Sequence, residues 1–100
     1  MEEASGILEI LEGDVLSSKQ IICNDNSLKI YDSSGNEIRW DLDNANSILK
    51  RNTEKILKNV SGFEPKYFPD TEVALVFISF DDNYKIGSYI NLSTRKIYRR

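Results

Sequence analysis

The side chains that could perform chemistry in this 100-residue chain are carboxylates, lysines, tyrosines and one thiol, because the sequence contains no histidine. Without an imidazole, Ser-His-Asp and Cys-His nucleophiles, His-ligated metals and proton transfer by histidine are excluded. Cys23 is the only cysteine, so neither an intrachain disulfide nor a CxxC zinc pair can form. It follows two isoleucines and has no adjacent basic residue to lower its pKa, which favours packing over nucleophilic chemistry.

One acidic pair, Asp41-x-Asp43, has the composition of a metal site, since carboxylate oxygens suit Ca²⁺ and Mg²⁺. A calcium loop that starts at Asp41 would need glycine where Asn46 stands and glutamate where Asn52 stands. A strand end followed by the N-cap of a helix explains both carboxylates more simply.

The remaining acidic residues of interest lie at the two ends of a predicted strand. Asp70 and Glu72 precede it and Asp81 and Asp82 follow it, so about 25 Å of extended chain separates the two pairs. The magnesium-nuclease pattern of Pro-Asp with a later acidic-x-Lys is not met, because Asp82 and Lys85 are one residue too far apart. The five glycines are scattered singly, so there is no phosphate-binding loop. We expect no metal, no cofactor and no enzymatic activity, with a carboxylate-dependent metal enzyme as the second alternative.

Charge is divided along the chain. Residues 1–43 contain ten acidic and three basic side chains, a net of −7, whereas residues 44–100 contain ten basic and six acidic ones, a net of +4. Opposed halves of this kind bear on partners more than on fold. They form two binding surfaces only if the fold keeps them apart; as neighbours they would neutralise each other.

The first half predicts one short helix and three strands. From Glu2 to Glu12, apolar residues recur at helical spacing, and a helix is preferred over the strand that the segment could also form. Residues 19–23 predict a strand, and residues 28–40 predict a hairpin around a Ser-Ser-Gly-Asn turn. Alternation places five residues of this region toward the core: Leu28, Ile30, Ile38, Trp40 and Leu42.

The second half predicts a long helix and three strands. Asp43 or Asn44 would cap a helix from about Asn44 to Val60, with Gly62 at its C-terminal end. Its apolar stripe would consist of Ala45, Ile48, Leu49, Ile56, Leu57 and Val60.

Two prolines mark residues 63–71 as a connection between elements. Residues 73–78 are apolar throughout, which predicts a strand covered on both faces near the centre of the sheet. Residues 85–92 and a last short strand through Ile97 and Tyr98 complete the sheet.

These elements predict a single α+β domain over residues 1–100. Its antiparallel sheet would have five or six strands, with one main helix packed on one face and the order (α)βββαβββ. The other face of the sheet would stay partly open to a partner. Exposed tyrosine and arginine are enriched at interface hot spots, so this face is where a binding site is expected.

Size, a net charge of −3 and the lack of a catalytic signature predict a small non-enzymatic protein-binding module. That class includes inhibitors, immunity-type proteins and phage-encoded accessory proteins. Glu37 and Asp41 would engage a basic surface on the partner protein, and a homodimer is left open. The predicted partner-binding residues are Tyr31, Glu37, Arg39, Asp41, Tyr89 and Tyr98.

Nucleic-acid binding is the first alternative. The basic end of the chain, residues 94–100, and the lysines of the predicted helix could neutralise phosphates, while tyrosine stacks on unpaired bases. A sequence pI near 4.9 argues against it. No apolar run is long enough to span a membrane, and the acidic start does not match a signal peptide. The sequence therefore predicts a cytoplasmic protein without a membrane partner.

Overall fold

The computed structural model describes the backbone of residues 2–99 and the side chains of residues 6–99. This part of the chain has an α+β fold with one helix, α1 (Glu2–Leu16), and two antiparallel sheets. Strand order within each sheet follows chain order. The five-stranded sheet contains β1 (Ser18–Cys23), β2 (Ser27–Asp32), β3 (Glu37–Asp43), β4 (Ile48–Arg51) and β5 (Glu54–Lys58). The four-stranded sheet contains β6 (Val60–Phe68), β7 (Val73–Phe80), β8 (Lys85–Asn91) and β9 (Lys96–Arg99).

The helix predicted at residues 2–12 is confirmed, and it continues to Leu16. Gly13 lies inside the helix, because the apolar stripe continues for another turn. Leu8, Leu11 and Val15 are buried at a spacing of three and four residues, which is the repeat of one helix face.

The predicted hairpin is also confirmed. Leu28 pairs with Trp40 and Ile30 pairs with Ile38 in antiparallel register. Asp32 forms the turn by accepting hydrogen bonds from the backbone N–H groups of two turn residues, and Gly35 has a φ of 83°, which glycine adopts without strain. Four of the five expected core residues are buried and Ile38 packs against them.

The helix predicted from about Asn44 to Val60 is wrong, because this segment forms the hairpin of β4 and β5. Ser47, Asn52 and Asn59 have φ values of 56°, 58° and 59°, so the chain turns at each of them instead of continuing a helix. Leu49 and Leu57 pair across the two strands and are both buried.

The carboxylate of Asp43 is therefore not a helix cap. It accepts hydrogen bonds from the backbone N–H and the side-chain amide of Asn46, in the turn between β3 and β4. The side-chain bond is the main cause of a lowered pKa of Asp43.

The connection predicted at residues 63–71 is mostly strand, since β6 runs through Phe68. Pro65 fits there because β6 is an edge strand, where a missing backbone N–H costs no ladder hydrogen bond. Gly62, expected to end a helix, lies instead beside an irregularity in the pairing of β6 with β7. Of the two prolines, only Pro69 lies in the turn that follows β6.

The strand predicted at residues 73–78 is confirmed as β7, an interior strand of its sheet, and the two predicted strands after it are β8 and β9. The prediction that this strand is covered on both faces is wrong. Ala74, Val76 and Ile78 are buried, whereas Leu75 and Phe77 are only half-buried.

The single sheet of five or six strands is replaced by two sheets. β5 and β6 are joined through Asn59 without pairing, and β6 contacts β1 to β4 from the other sheet. A single hydrophobic core joins α1 and both sheets, with Leu11, Trp40, Phe63 and Ile78 fully buried in it. Among residues 2–99, no helix has the length and apolar character needed to cross a membrane.

Candidate partner-binding surface

The six residues predicted to bind a partner lie on two different sheets. Tyr31, Glu37, Arg39 and Asp41 are on β2 and β3 and point away from the buried side of the five-stranded sheet. Tyr89 and Tyr98 are paired neighbours on β8 and β9 of the four-stranded sheet. The fold therefore does not bring the six together in one site.

We call the outward side of β2 to β4 the polar face, defined by Lys29, Tyr31, Glu37, Arg39, Asp41 and Lys50. The Tyr31 hydroxyl donates a 2.8 Å hydrogen bond to Oε1 of Glu37, which raises the pKa of Tyr31. Asp41 pairs in register with Lys50. The polar face thus carries mixed charges, and Glu37 and Asp41 do not stand in a uniformly acidic surface.

Two carboxylates of the acidic half pair with arginines of the basic half where α1 meets the strands. Arg51 forms two hydrogen bonds of 2.9 Å to the two carboxylate oxygens of Asp14, a paired geometry that suits arginine. Trp40 donates from Nε1 to Oδ2 of the same carboxylate at 2.7 Å. The hydrogen bond to Asp14 raises the pKa of Arg51.

A second carboxylate of α1, that of Glu12, is held in the same way by an arginine of the last strand. Glu12 is 2% exposed and accepts hydrogen bonds from the Ser88 hydroxyl at 2.8 Å and from Nε of Arg99 at 2.8 Å. Nη2 of Arg99 also donates to Glu12, and the hydrogen bonding raises the pKa of Arg99. Two partly exposed arginines of the basic half are therefore engaged by carboxylates of the acidic half.

A different surface, which we call the aromatic face, covers the outward side of β7, β8 and β9. It is defined by Leu75, Phe77, Gly87, Tyr89 and Tyr98, which line an open groove of about 490 Å³ together with Ser88. Tyr89 and Tyr98 are 39% and 57% exposed, and their ring centres are 5.7 Å apart in an edge-to-face arrangement. Leu75 pairs with Tyr89 on the other side, so the three side chains form one row across the sheet.

Gly87 shapes the next row of the aromatic face. It pairs with Phe77, and a Cβ atom at Gly87 would lie 2.5 Å from the Phe77 ring, so the ring occupies the space above the glycine. The ammonium group of Lys85 lies 4.9 Å from the centre of the same ring, within cation–π range. Glycine at position 87 therefore lets the Phe77 ring pack directly against the backbone of β8.

Charged side chains surround the aromatic face. Lys66 pairs with Leu75 in register, Glu64 pairs with Phe77, and Lys96 is two residues before Tyr98 on β9. Lys85 and Glu64 approach to 4.0 Å, and each side chain is 54% exposed. An apolar centre with a charged rim is the usual anatomy of a protein-binding surface.

Sequence reasoning found Tyr89 and Tyr98 but missed Leu75, Phe77 and Gly87. The continuous apolar run of β7 had suggested cover on both sides. Alternation along β7 was the signal that could have indicated this face. Its odd-numbered residues Leu75 and Phe77 pair with Tyr89 and Gly87 on β8, the strand predicted next to it.

The other side chains considered for chemistry have structural roles. Burial raises the pKa of the Cys23 thiol from 9.0 to about 11, which makes it a poor nucleophile. Asp82 accepts a hydrogen bond from the backbone N–H of Tyr84 in the turn after β7. Among the side chains of residues 6–99, no group of three or more metal-ligating residues comes together.

Comparison of the chain with models of protein families, with curated proteins and with solved structures finds no match. The surface must therefore be interpreted from its own chemistry.

Proposed function

We propose that this protein is a non-enzymatic protein-binding module and that the aromatic face is its binding surface. The observation that carries the proposal is the uncovered row of Leu75, Tyr89 and Tyr98 beside Phe77, on a sheet whose other side is packed into the core. Contiguous apolar surface of this kind is costly to leave in water and marks interaction sites.

The composition of the face supports a protein partner. Tyrosine and phenylalanine are enriched at the centres of protein interfaces, and two rigid aromatic rings supply contact area with little loss of side-chain entropy. The proposed action is occupancy of a partner's surface, as inhibitors, immunity-type proteins and phage-encoded accessory proteins act. The proposed setting is the cytoplasm, where the free thiol of Cys23 would remain reduced.

The test compares two surfaces of one protein in affinity capture from a lysate of the source organism. The wild type, the double variant Tyr89→Ala/Tyr98→Ala and the control Tyr31→Ala serve as baits. Loss of one hot-spot tyrosine costs about 2 kcal/mol, so the double variant should lose a stoichiometric partner by well over tenfold. The control should retain it.

Fluorescence of Trp40, which is fully buried, checks that every bait is folded. Equal recovery of the partner by the wild type and by the double variant would contradict the proposal. So would loss of the partner with Tyr31→Ala alone, since that result would move the site to the polar face.

Binding of single-stranded nucleic acid is a second candidate function, favoured by two adjacent tyrosines and nearby lysines on an open antiparallel sheet. Against it, Arg51 and Arg99 are engaged by carboxylates of α1, and Glu64 stands on the rim of the face. Labelled single-stranded DNA and RNA at low and high salt provide the test. Lack of binding at low salt would dismiss this function.

A further inference from the structure

We infer that the aromatic face binds an acidic segment of another protein, one that carries apolar side chains between carboxylates. This inference rests on the proposed function and specifies its partner. It differs from the sequence-based expectation, which placed acidic residues of this chain against a basic partner.

The charge of the rim carries the inference. At the outward positions of β6 to β9, the charged residues are three lysines, Lys66, Lys85 and Lys96, and one carboxylate, Glu64. Glu64 lies 4.0 Å from Lys85, so these two charges offset each other and the strand positions keep a net charge of +2. A positive rim is a local exception in a protein with a net charge of −3, and it favours association with a negative surface.

The positions of the lysines define how such a segment would lie. Lys85 begins β8 and Lys96 pairs with Asn91 at the other end of β8, while Lys66 stands to the side on β6. Asn91 follows Lys85 by six residue steps along β8, which corresponds to about 20 Å at about 3.3 Å per residue. Carboxylates of the partner should therefore flank an apolar centre with a spacing on the order of 20 Å.

The same charges disfavour a second copy of this chain. Two aromatic faces packed against each other would bring two lysine-rich rims together, and like charges at a desolvating interface are destabilising. Docking of the aromatic face on the polar face of another copy would meet Lys29, Arg39 and Lys50 as well as carboxylates. It would also build open chains of molecules rather than a closed dimer.

The experiment selects peptides from a displayed random 12-residue library on the immobilised wild-type protein. Enriched sequences should combine aromatic or aliphatic residues with aspartate and glutamate. One enriched peptide, synthesised and labelled, is then titrated against the wild type, the reversal variant Lys66→Glu/Lys85→Glu/Lys96→Glu and the control Lys29→Glu/Lys50→Glu. We expect the reversal variant to bind at least tenfold more weakly and the control to bind within twofold of the wild type.

The variants Tyr89→Ala and Tyr98→Ala separate failure of this inference from failure of the proposed function. Neutral or basic peptides that still require the two tyrosines would overturn the acidic partner and leave the aromatic face as a binding surface. Selected peptides that ignore both tyrosines, or no enrichment at all, would overturn both proposals.

Two further outcomes would replace the partner class. A dimer in sedimentation experiments that dissociates with Tyr89→Ala/Tyr98→Ala would assign the face to a second copy. Binding of labelled single-stranded DNA that the lysine reversal abolishes, without any peptide binding, would assign it to nucleic acid.

Discussion

At the scale of single residues, Asp14 determines how α1 is fixed to the five-stranded sheet. Its side chain is 10% exposed and accepts hydrogen bonds from Trp40 on β3 and Arg51 on β4. Replacing Asp14 would therefore remove the hydrogen-bond acceptor of both donors at once.

The change Asp14→Ala should lower the free energy of unfolding by about 2 to 3 kcal/mol, since it leaves a buried indole N–H unsatisfied and a partly buried guanidinium unpaired. Urea unfolding followed by the fluorescence of Trp40 measures the loss. The control Asp41→Ala, on the polar face, should change stability by about 0.5 kcal/mol or less. Similar losses for the two variants would refute the anchoring role of Asp14.

Cys23 provides a test of burial at the same scale. Burial raises the pKa of its thiol to about 11, so at pH 8 the thiolate fraction should be about a hundredfold smaller than for a free thiol. Because the pKa is raised in the folded protein, the stabilisation from this group is fully present below pH 9.0 and is lost as the pH rises toward 11.

Alkylation by iodoacetamide at pH 8 should therefore be slow in the native protein and fast in urea. Alkylation of the native protein at the rate of the unfolded chain would show that the Cys23 thiol is not buried and that its pKa is not raised.

At the scale of elements, structure specified by a local sequence pattern could be predicted, whereas structure decided by pairing between strands could not. The hairpin of β2 and β3 could be predicted because alternation and Gly35 specify a turn and a register within a dozen residues. The next segment could not, because Ile48-Leu49 and Ile56-Leu57 satisfy a helical stripe and a strand pair equally well. Left-handed residues such as Asn52 and the pairing of Leu49 with Leu57 decide in favour of strands.

Three of the five residues that define the aromatic face were missed for a different reason. Residues 73–78 are apolar at every position, so β7 was expected to be covered on both faces. With α1 as the helix of the described chain, the outward side of β7 remains open, and Leu75 and Phe77 join Tyr89 and Tyr98. Exposure of a sheet face depends on what packs against it, which a single strand's sequence does not specify.

The turn between β6 and β7 provides a stability test at the scale of elements. Glu72 has a φ of 56°, which costs a residue with a Cβ atom more than it costs glycine. Glu72→Gly should therefore raise the free energy of unfolding by about 0.5 kcal/mol, whereas Glu72→Val should lower it by about 1 kcal/mol.

The two melting temperatures should then differ by roughly 6 to 12 °C, with glycine above valine. The reverse order would show that this turn does not adopt the left-handed conformation.

At the scale of the whole molecule, two contacts of α1 join the acidic half of the sequence to the basic half, Asp14 with Arg51 and Glu12 with Arg99. Glu12 and Arg99 are 87 residues apart in sequence and join α1 to β9, close to the two ends of the chain. The acidic and basic halves therefore contribute to one fold, and the aromatic face, which we propose as the binding surface, is apolar with a positive rim.

Arg99→Met should lower the free energy of unfolding by about 3 kcal/mol, because it leaves the buried Glu12 carboxylate without its counter-charge. Adding Glu12→Gln to this variant should recover part of the loss, since the neutral amide still bonds to Ser88 and carries no unpaired charge. A double-mutant cycle by urea unfolding measures the coupling. Strictly additive losses would contradict a direct pairing.

The central claim, that partners dock on the aromatic face, is tested most directly by hydroxyl-radical footprinting of the protein with and without its captured partner. The two surfaces each carry tyrosine, so their protection is read in one experiment from Tyr31 on the polar face and from Tyr89 and Tyr98 on the aromatic face. We predict that oxidation of Tyr89 and Tyr98 falls severalfold in the complex and that oxidation of Tyr31 is unchanged. Protection of Tyr31 with Tyr89 and Tyr98 still fully oxidised would contradict the claim.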